Sequence, residues 1–240
     1  MTVPLGMLTP SSNTVLEPMT AAILQGVPGV SAHFSRFRVT QIALSDLALA
    51  QFDSREIMRA AALLDDARCA TIAWNGTAAG WLGFESDLAL CREIEAATRA
   101  RACTSVLALN EVLELTGVRR LGLVSPYTPD VQARIVANYA AIGIEVVAEV
   151  HWNLQDNFSF AEVTEAQIAE GIRHVAQARP EAIAVYCTNL RGAALAEGME
   201  RETGVAVYDT VATAVWKSLR LAGVETAGIT GWGRLFSVRK

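Results

Sequence analysis

GMLTPSS at residues 6–12 returns as GLVSPYT at 122–128, an offset of 116, and IAWNGT at 72–77 returns as IAVYCT at 183–188, an offset of 111. Each is an apolar run closing on a polar turn, which is a common pattern when met alone. Two matches in the same order and at nearly the same spacing indicate an internal repeat. The chain therefore reads as two copies of one unit, the second opening near residue 113.

The rest of the chain fits around these segments. Short runs rich in Val, Ile and Leu at 3–8, 69–74, 120–125, 144–150, 181–186 and 205–209 read as strands. Between them, stretches at 55–67, 89–102, 129–143, 165–178, 194–204 and 210–223 carry apolar residues three and four apart and read as helices. Continuous apolar strands alternating with amphipathic helices predict parallel sheets covered on both faces. The expected fold is α/β: two pseudo-symmetric Rossmann-like (flavodoxin-like) halves, each a parallel sheet with flanking helices, with the active site in the cleft between them. Residues 1–112 are assigned to the first half and 113–209 to the second. The C-terminal segment 210–240 is expected to pack back on the first half.

Composition narrows the partners. The 20 Lys and Arg against 25 Asp and Glu leave a net charge of −5, which provides no basic footprint for nucleic acid or a membrane surface. Apolar runs stop well short of the ~20 residues that span a bilayer, and the N-terminus lacks the pattern of a secretory signal. A cytoplasmic protein acting on a small molecule is expected, with a homo-oligomer left open. The four cysteines have no CxxC spacing and there are three histidines, so no metal site and no disulfide framework is expected. Neither GxGxxG nor GxxxxGK[ST] occurs in the glycine-bearing WNGTAAGWLG, so no nucleotide is expected and no cofactor is called for.

In open parallel sheets ligands sit beyond the carboxyl ends of the strands. Residues 9–13, 75–78, 125–128 and 187–189 place polar side chains at such ends, and if the halves face each other these four loops surround one cleft. They bring Pro10, Ser11, Asn13, Asn75, Gly76, Thr77, Ala78, Tyr127, Thr188 and Asn189 towards it. N–H groups at helix starts suit a carboxylate or an oxyanion, and Pro10 and Pro129 suit first helical turns. No Arg or Lys falls in these loops before Arg191, so neutral donors are expected to bind the anion. Asn13 and Asn157 have a second reading, as turn or cap residues.

Cys187 stands out. It follows an apolar strand and precedes Thr-Asn, where a helix N-terminus would lower its pKa. Cys69, Cys91 and Cys103 lie in or beside strands and helices and read as small buried hydrophobes. The residue matching Cys187 in the first half is Gly76. A site with two thiols could take a proton from one face and return it on the other; this one has an acid on one face only. His174 reads as a surface residue, no Cys–His pairing follows from spacing, and Trp74, Trp81 and Trp232 read as packing residues.

GMLTPSSNTVLEP (6–18), IAWNGTAAGWLG (72–83), GLVSPYTPDV (122–131), QDNFSFAEV (155–163), VYCTNLRGAAL (185–195) and GWGRLF (231–236) together resemble the Asp/Glu racemase superfamily. The branch is that of maleate cis–trans isomerases and arylmalonate decarboxylases, and the likeness runs nearly end to end. The resemblance implies that Cys187 is the second-half cysteine used throughout the family. Asn13, Tyr127 and Asn157 look like the carboxylate-holding residues of the isomerases, whose first-half cysteine aligns with Gly76. In the decarboxylases that position is glycine followed by a hydroxyl residue, as in Gly76-Thr77. There Thr77, the Ala78 N–H, Tyr127 and the backbone at Cys187 and Thr188 would form a dioxyanion hole. Two features depart from the decarboxylases: the PSSN-type first loop, and Thr188-Asn189 where they carry Gly-Gly.

The implied activity is cofactor-free decarboxylation of an α-substituted malonate. One carboxylate would be held by the donors and the other set against apolar side chains such as Ile42, Leu44 and Phe158. Cys187 would protonate the resulting enediolate. The alternatives are isomerisation or racemisation of a small acid, with Asn75, Thr77 or water serving the second face, and hydrolysis of an amide or cyclic imide by the thiol.

Overall fold

A computed structural model describes residues 2–44 and 54–239. In the first half, strands β1 (Val3–Pro10), β2 (Val30–Phe37), β3 (Thr71–Trp74) and β4 (Arg101–Thr104) form a parallel sheet in the order β2-β1-β3-β4. In the second, β5 (Arg120–Ser125), β6 (Glu145–His151), β7 (Ala182–Val185) and β8 (Ala206–Asp209) form another in the order β6-β5-β7-β8. The same order in both sheets makes the sequence repeat visible in three dimensions. Helices α1 (Leu16–Leu24), α2 (Ser54–Asp66), α3 (Ala79–Leu82), α4 (Phe84–Ala97) and α5 (Ser105–Leu115) accompany the first sheet. Helices α6 (Pro129–Ala141), α7 (Glu165–Ala176), α8 (Ala196–Thr203) and α9 (Thr210–Leu221) follow along the rest of the chain.

Two strands, β2 and β4, exceed the six that the apolar runs predict. Both are edge strands. Only two of the eight residues of β2 are buried, and β4 is the four residues RACT, so neither carries a continuous apolar run. The central strands behave differently: β3 and β7 are buried throughout. Pro129 opens α6 as expected. Pro10 does not open a helix; it is the last residue of β1, and α1 begins only at Leu16.

Helix α9 is capped by Asp209, whose Oδ1 accepts from the Val211 and Ala212 N–H groups at 2.8 and 3.2 Å. The helix crosses back to pack on α5, α1, β3 and β4. At the opposite side α3 packs on α6, where the Asn138 amide donates to the Gly80 carbonyl at 2.8 Å. No helix among the described residues is long and apolar enough to cross a membrane.

Candidate active site

The register of the two sheets brings their central strands to a common end: Leu8 pairs with Trp74, and Val124 with Val185. The four loops that follow meet at one closed cavity. Pro10 comes from the end of β1, Gly76, Thr77 and Ala78 from the second loop, Tyr127 from the third, and Cys187 and Thr188 from the fourth. Asn157 reaches it from the segment after β6. The volume is ≈ 20 Å³, room for about one water.

Of the expected apolar walls, Ile42 is present and Leu44 and Phe158 are not. Val39, Trp74 and Trp81 line the cavity beside Ile42, while Phe158 is 53% exposed. Trp74 and Trp81, read from the sequence as packing residues, are walls of the site. Which aromatic turns inward is settled by contacts between distant segments, and residue type carries no trace of it.

Cys187 is buried. Its sulfur accepts from the Asn189 N–H at 3.4 Å and lies within hydrogen-bonding reach of the Tyr127 hydroxyl. Burial pushes the thiol up to about 12; these donors pull the other way, while the buried Asp209 carboxyl adds to the rise. The expected lowering by a helix N-terminus is not found. A turn follows the cysteine, a 3-10 turn forms only at Ala193–Leu195, and α8 starts at Ala196. With no helix end aimed at it and little solvent around it, the sulfur keeps its proton at neutral pH.

The Tyr127 and Thr77 hydroxyls are paired at 2.5 Å. The Tyr127 ring meets Trp81 and Phe160 edge-on, with centroids 5.2 and 5.6 Å away. Burial raises its hydroxyl pKa well above the usual tyrosine value, so it remains a neutral donor. The hydrogen bonds of the described residues leave the N–H groups of Thr77, Ala78, Cys187 and Thr188 without an acceptor. Two hydroxyls and four N–H groups are thus gathered in the loops beside one protonated thiol.

Several other sequence candidates stand behind the wall and do not line the cavity. Asn13 Oδ1 accepts from the Val15 and Leu16 N–H groups at 3.0 and 2.9 Å. Asn189 Oδ1, from the other half, accepts from Thr14 and Val15 at 3.0 and 3.2 Å. Asn13 therefore caps the first N–H of α1 while Asn189 holds the turn before it, and the capping reading of Asn13 is the one its side-chain oxygen realises. The Asn13 amide donates to Thr188 Oγ1 at 3.2 Å, and that hydroxyl donates to the Asn75 carbonyl at 3.1 Å. The Asn75 amide is held on the Leu8 and Ala73 carbonyls at 3.3 and 3.0 Å. Ser11 exchanges bonds with the Val39 backbone. Asn189 Nδ2 donates to the Asn157 carbonyl at 2.5 Å, and Asn157 Nδ2 to Ser12 Oγ at 2.8 Å. Arg191 is bonded to the Ala161 carbonyl.

Arg36 is a residue the sequence reading missed. Its Nη1 donates to the Ser11 and Asn13 carbonyls at 2.9 and 3.0 Å and clamps the first loop from outside. Reading β2 as a strand was the only route to it.

Gly76 has a particular neighbour. A Cβ built on it would lie 2.0 Å from Trp74 Cζ2 and 2.5 Å from Cε2. The place where a first-half thiol would project is filled by the edge of an indole. A cysteine introduced at Gly76 therefore requires the Trp74 ring to move. Among the described residues no group of three or more His, Cys, Asp or Glu side chains comes together as metal ligands would.

Two parallel sheets of one strand order, facing each other across a buried thiol, define an α/β enzyme of the Asp/Glu racemase superfamily. The family model described as Amdase: Arylmalonate decarboxylase matches residues 6–236, and the chain belongs to this family. The maleate isomerase of Geobacillus stearothermophilus is 23% identical over 233 residues, 92% of each chain. The arylmalonate decarboxylase of Bordetella bronchiseptica is 27% identical over 156 residues, 64% of this chain and 65% of that one. Among solved structures, a maleate isomerase from Pseudomonas putida with maleate superposes with a TM-score of 0.90 at 23% identity, covering 99% of this chain and 98% of that one. An unliganded arylmalonate decarboxylase gives 0.81 at 23% identity, covering 98% and 99%.

Proposed function

We propose that the protein is a cofactor-independent decarboxylase of an α-substituted malonate-like diacid, with Cys187 as its proton donor. One observation carries this reading: Cys187 supplies the one thiol lining the cavity, and the indole of Trp74 fills the side-chain space at Gly76, where a second thiol would project. That arrangement delivers a proton from one side and has no thiol to withdraw one from the opposite side.

The retained carboxylate takes hydrogen bonds from the Thr77 and Tyr127 hydroxyls and the free N–H groups of Thr77, Ala78, Cys187 and Thr188. The leaving carboxylate lies against Val39, Ile42, Trp74 and Trp81, where a charge stripped of water is costly. Breaking the carbon–carbon bond releases CO₂ and moves the electron pair into the retained carboxylate, which becomes an enediolate. Each donor aimed at that growing charge contributes about 3–4 kcal/mol to the transition state. The α-carbon then takes the Cys187 proton, the Tyr127 hydroxyl steadies the thiolate, and water returns the proton to sulfur.

The test is CO₂ release from a panel of alkyl- and arylmalonates. Turnover in D₂O should give one enantiomer labelled at the α-carbon, and Cys187→Ser should lower kcat/KM roughly 10²–10⁴-fold. No release from the whole panel sinks the proposal. The relatives named maleate isomerase, which match nearly the full chain, favour a second reading, cis–trans isomerisation of a small unsaturated diacid. Fumarate formed from maleate would establish it. Gly76, at the position of the isomerases' first-half cysteine, weighs against it.

A further inference from the structure

The indole of Trp74 divides two spaces. On one side is the ≈ 20 Å³ space at Cys187; on the other is a ≈ 90 Å³ surface crevice lined by Ile57, Ala78, Leu90, the buried Asp87 and the exposed Leu82, Ser86 and Glu93. Trp74 and Ala78 border both. The ring is fixed by a tilted contact with Phe37, with centroids 5.0 Å apart, and its edge occupies the side-chain space of position 76. Glycine at 76 and tryptophan at 74 thus form one steric unit: the volume that glycine leaves open is filled by the indole.

We infer that Trp74 sets the size of the substrate's α-substituent. With the ring in place the site takes a malonate carrying hydrogen or a small alkyl group and shuts out an aryl group. Without the ring the two spaces merge into a pocket that accepts one. This rests on the reading that the cavity at Cys187 receives a malonate-like diacid, and it names the substrate class within it.

Binding measured by calorimetry on Cys187→Ser protein needs no turnover and so separates this inference from the reaction. Methylmalonate should bind at least tenfold more tightly than phenylmalonate. Adding Trp74→Ala should reverse the order, with at least a tenfold gain for phenylmalonate. An unchanged ratio, or phenylmalonate preferred with Trp74 in place, overturns the inference, as does binding of neither diacid by any variant. Should Trp74→Ala not fold, Trp74→Leu must shift the ratio in the same direction. A second measurement tests the steric unit through stability: Gly76→Ala should lower Tm in the Trp74 protein and leave it nearly unchanged in Trp74→Leu. Equal losses in both backgrounds also overturn the inference. If the binding order reverses but no malonate releases CO₂, the size filter holds and only the decarboxylase reading fails.

Discussion

Asn189→Ala cuts the bonds that tie the thiol loop of the second half to α1 of the first. The side chain is fully buried and makes two such bonds, from the N–H groups of Thr14 and Val15 to Oδ1, and a third within its own half, from Nδ2 to the Asn157 carbonyl. Val15 keeps a partner in Asn13 Oδ1, so the substitution orphans the Thr14 N–H and the Asn157 carbonyl. A buried polar group left without its partner costs about 1–3 kcal/mol. Thr14 is exposed and its N–H can turn to water, so the expected loss is that of the Asn157 carbonyl, about 1–3 kcal/mol. For a chain of this size that corresponds to a fall in Tm of about 2–12 °C. Asn13→Ala is the informative second variant, because Asn13 and Asn189 share the Val15 N–H. Each single variant leaves that donor one acceptor, and the double variant leaves none. Their losses should therefore exceed additivity by about 1 kcal/mol. Chemical unfolding followed by circular dichroism at pH 7 gives all four corners of the cycle. A loss below about 0.5 kcal/mol for Asn189→Ala, or strict additivity in the double variant, would refute the shared cap.

Three further outcomes follow from the site and its surroundings. Tyr127→Phe removes the hydroxyl paired with Thr77 and close to the Cys187 sulfur; steady-state kinetics should show kcat falling roughly 10²–10³-fold while circular dichroism stays unchanged. With its pKa pushed to about 12, Cys187 is almost wholly thiol at pH 8, and its alkylation by iodoacetamide should run at least ~10²-fold slower than that of the unfolded chain; rapid labelling in a timed mass-spectrometric assay would contradict this. Asp87 is raised to about 7 by burial, so the folded state holds its proton more tightly than the unfolded chain does. The stability this gives is full below about pH 4 and drains away as pH rises towards 7. Asp87→Asn should therefore raise Tm relative to the parent at pH 8, by at least ~3 °C, with the gap narrowing towards pH 5; a gap independent of pH would be the contrary result.

The repeat, the parallel sheets and the four polar loops were all legible in the chain, and each rests on local information. Buried central strands such as β3 and β7 must be continuously apolar, and ligand-facing residues must follow their carboxyl ends. Cys187 could be picked out of four cysteines for that reason alone. Edge strands escape this logic: β2 is half exposed and β4 is short, so neither leaves a period to read, and Arg36 was lost with β2. The character of the site is a different matter. The thiol's raised pKa comes from burial by residues far away in sequence. Asn13 meets Thr188 across 175 positions, and Asn75 meets it across 113. Trp74 closes the second face because its ring turns back over Gly76, a choice made by Phe37 and the space beside Asp87. Pattern and residue type placed the thiol at the end of a strand; the packing of one half against the other decided how deeply it is buried and that the Trp74 indole fills the side-chain space of Gly76.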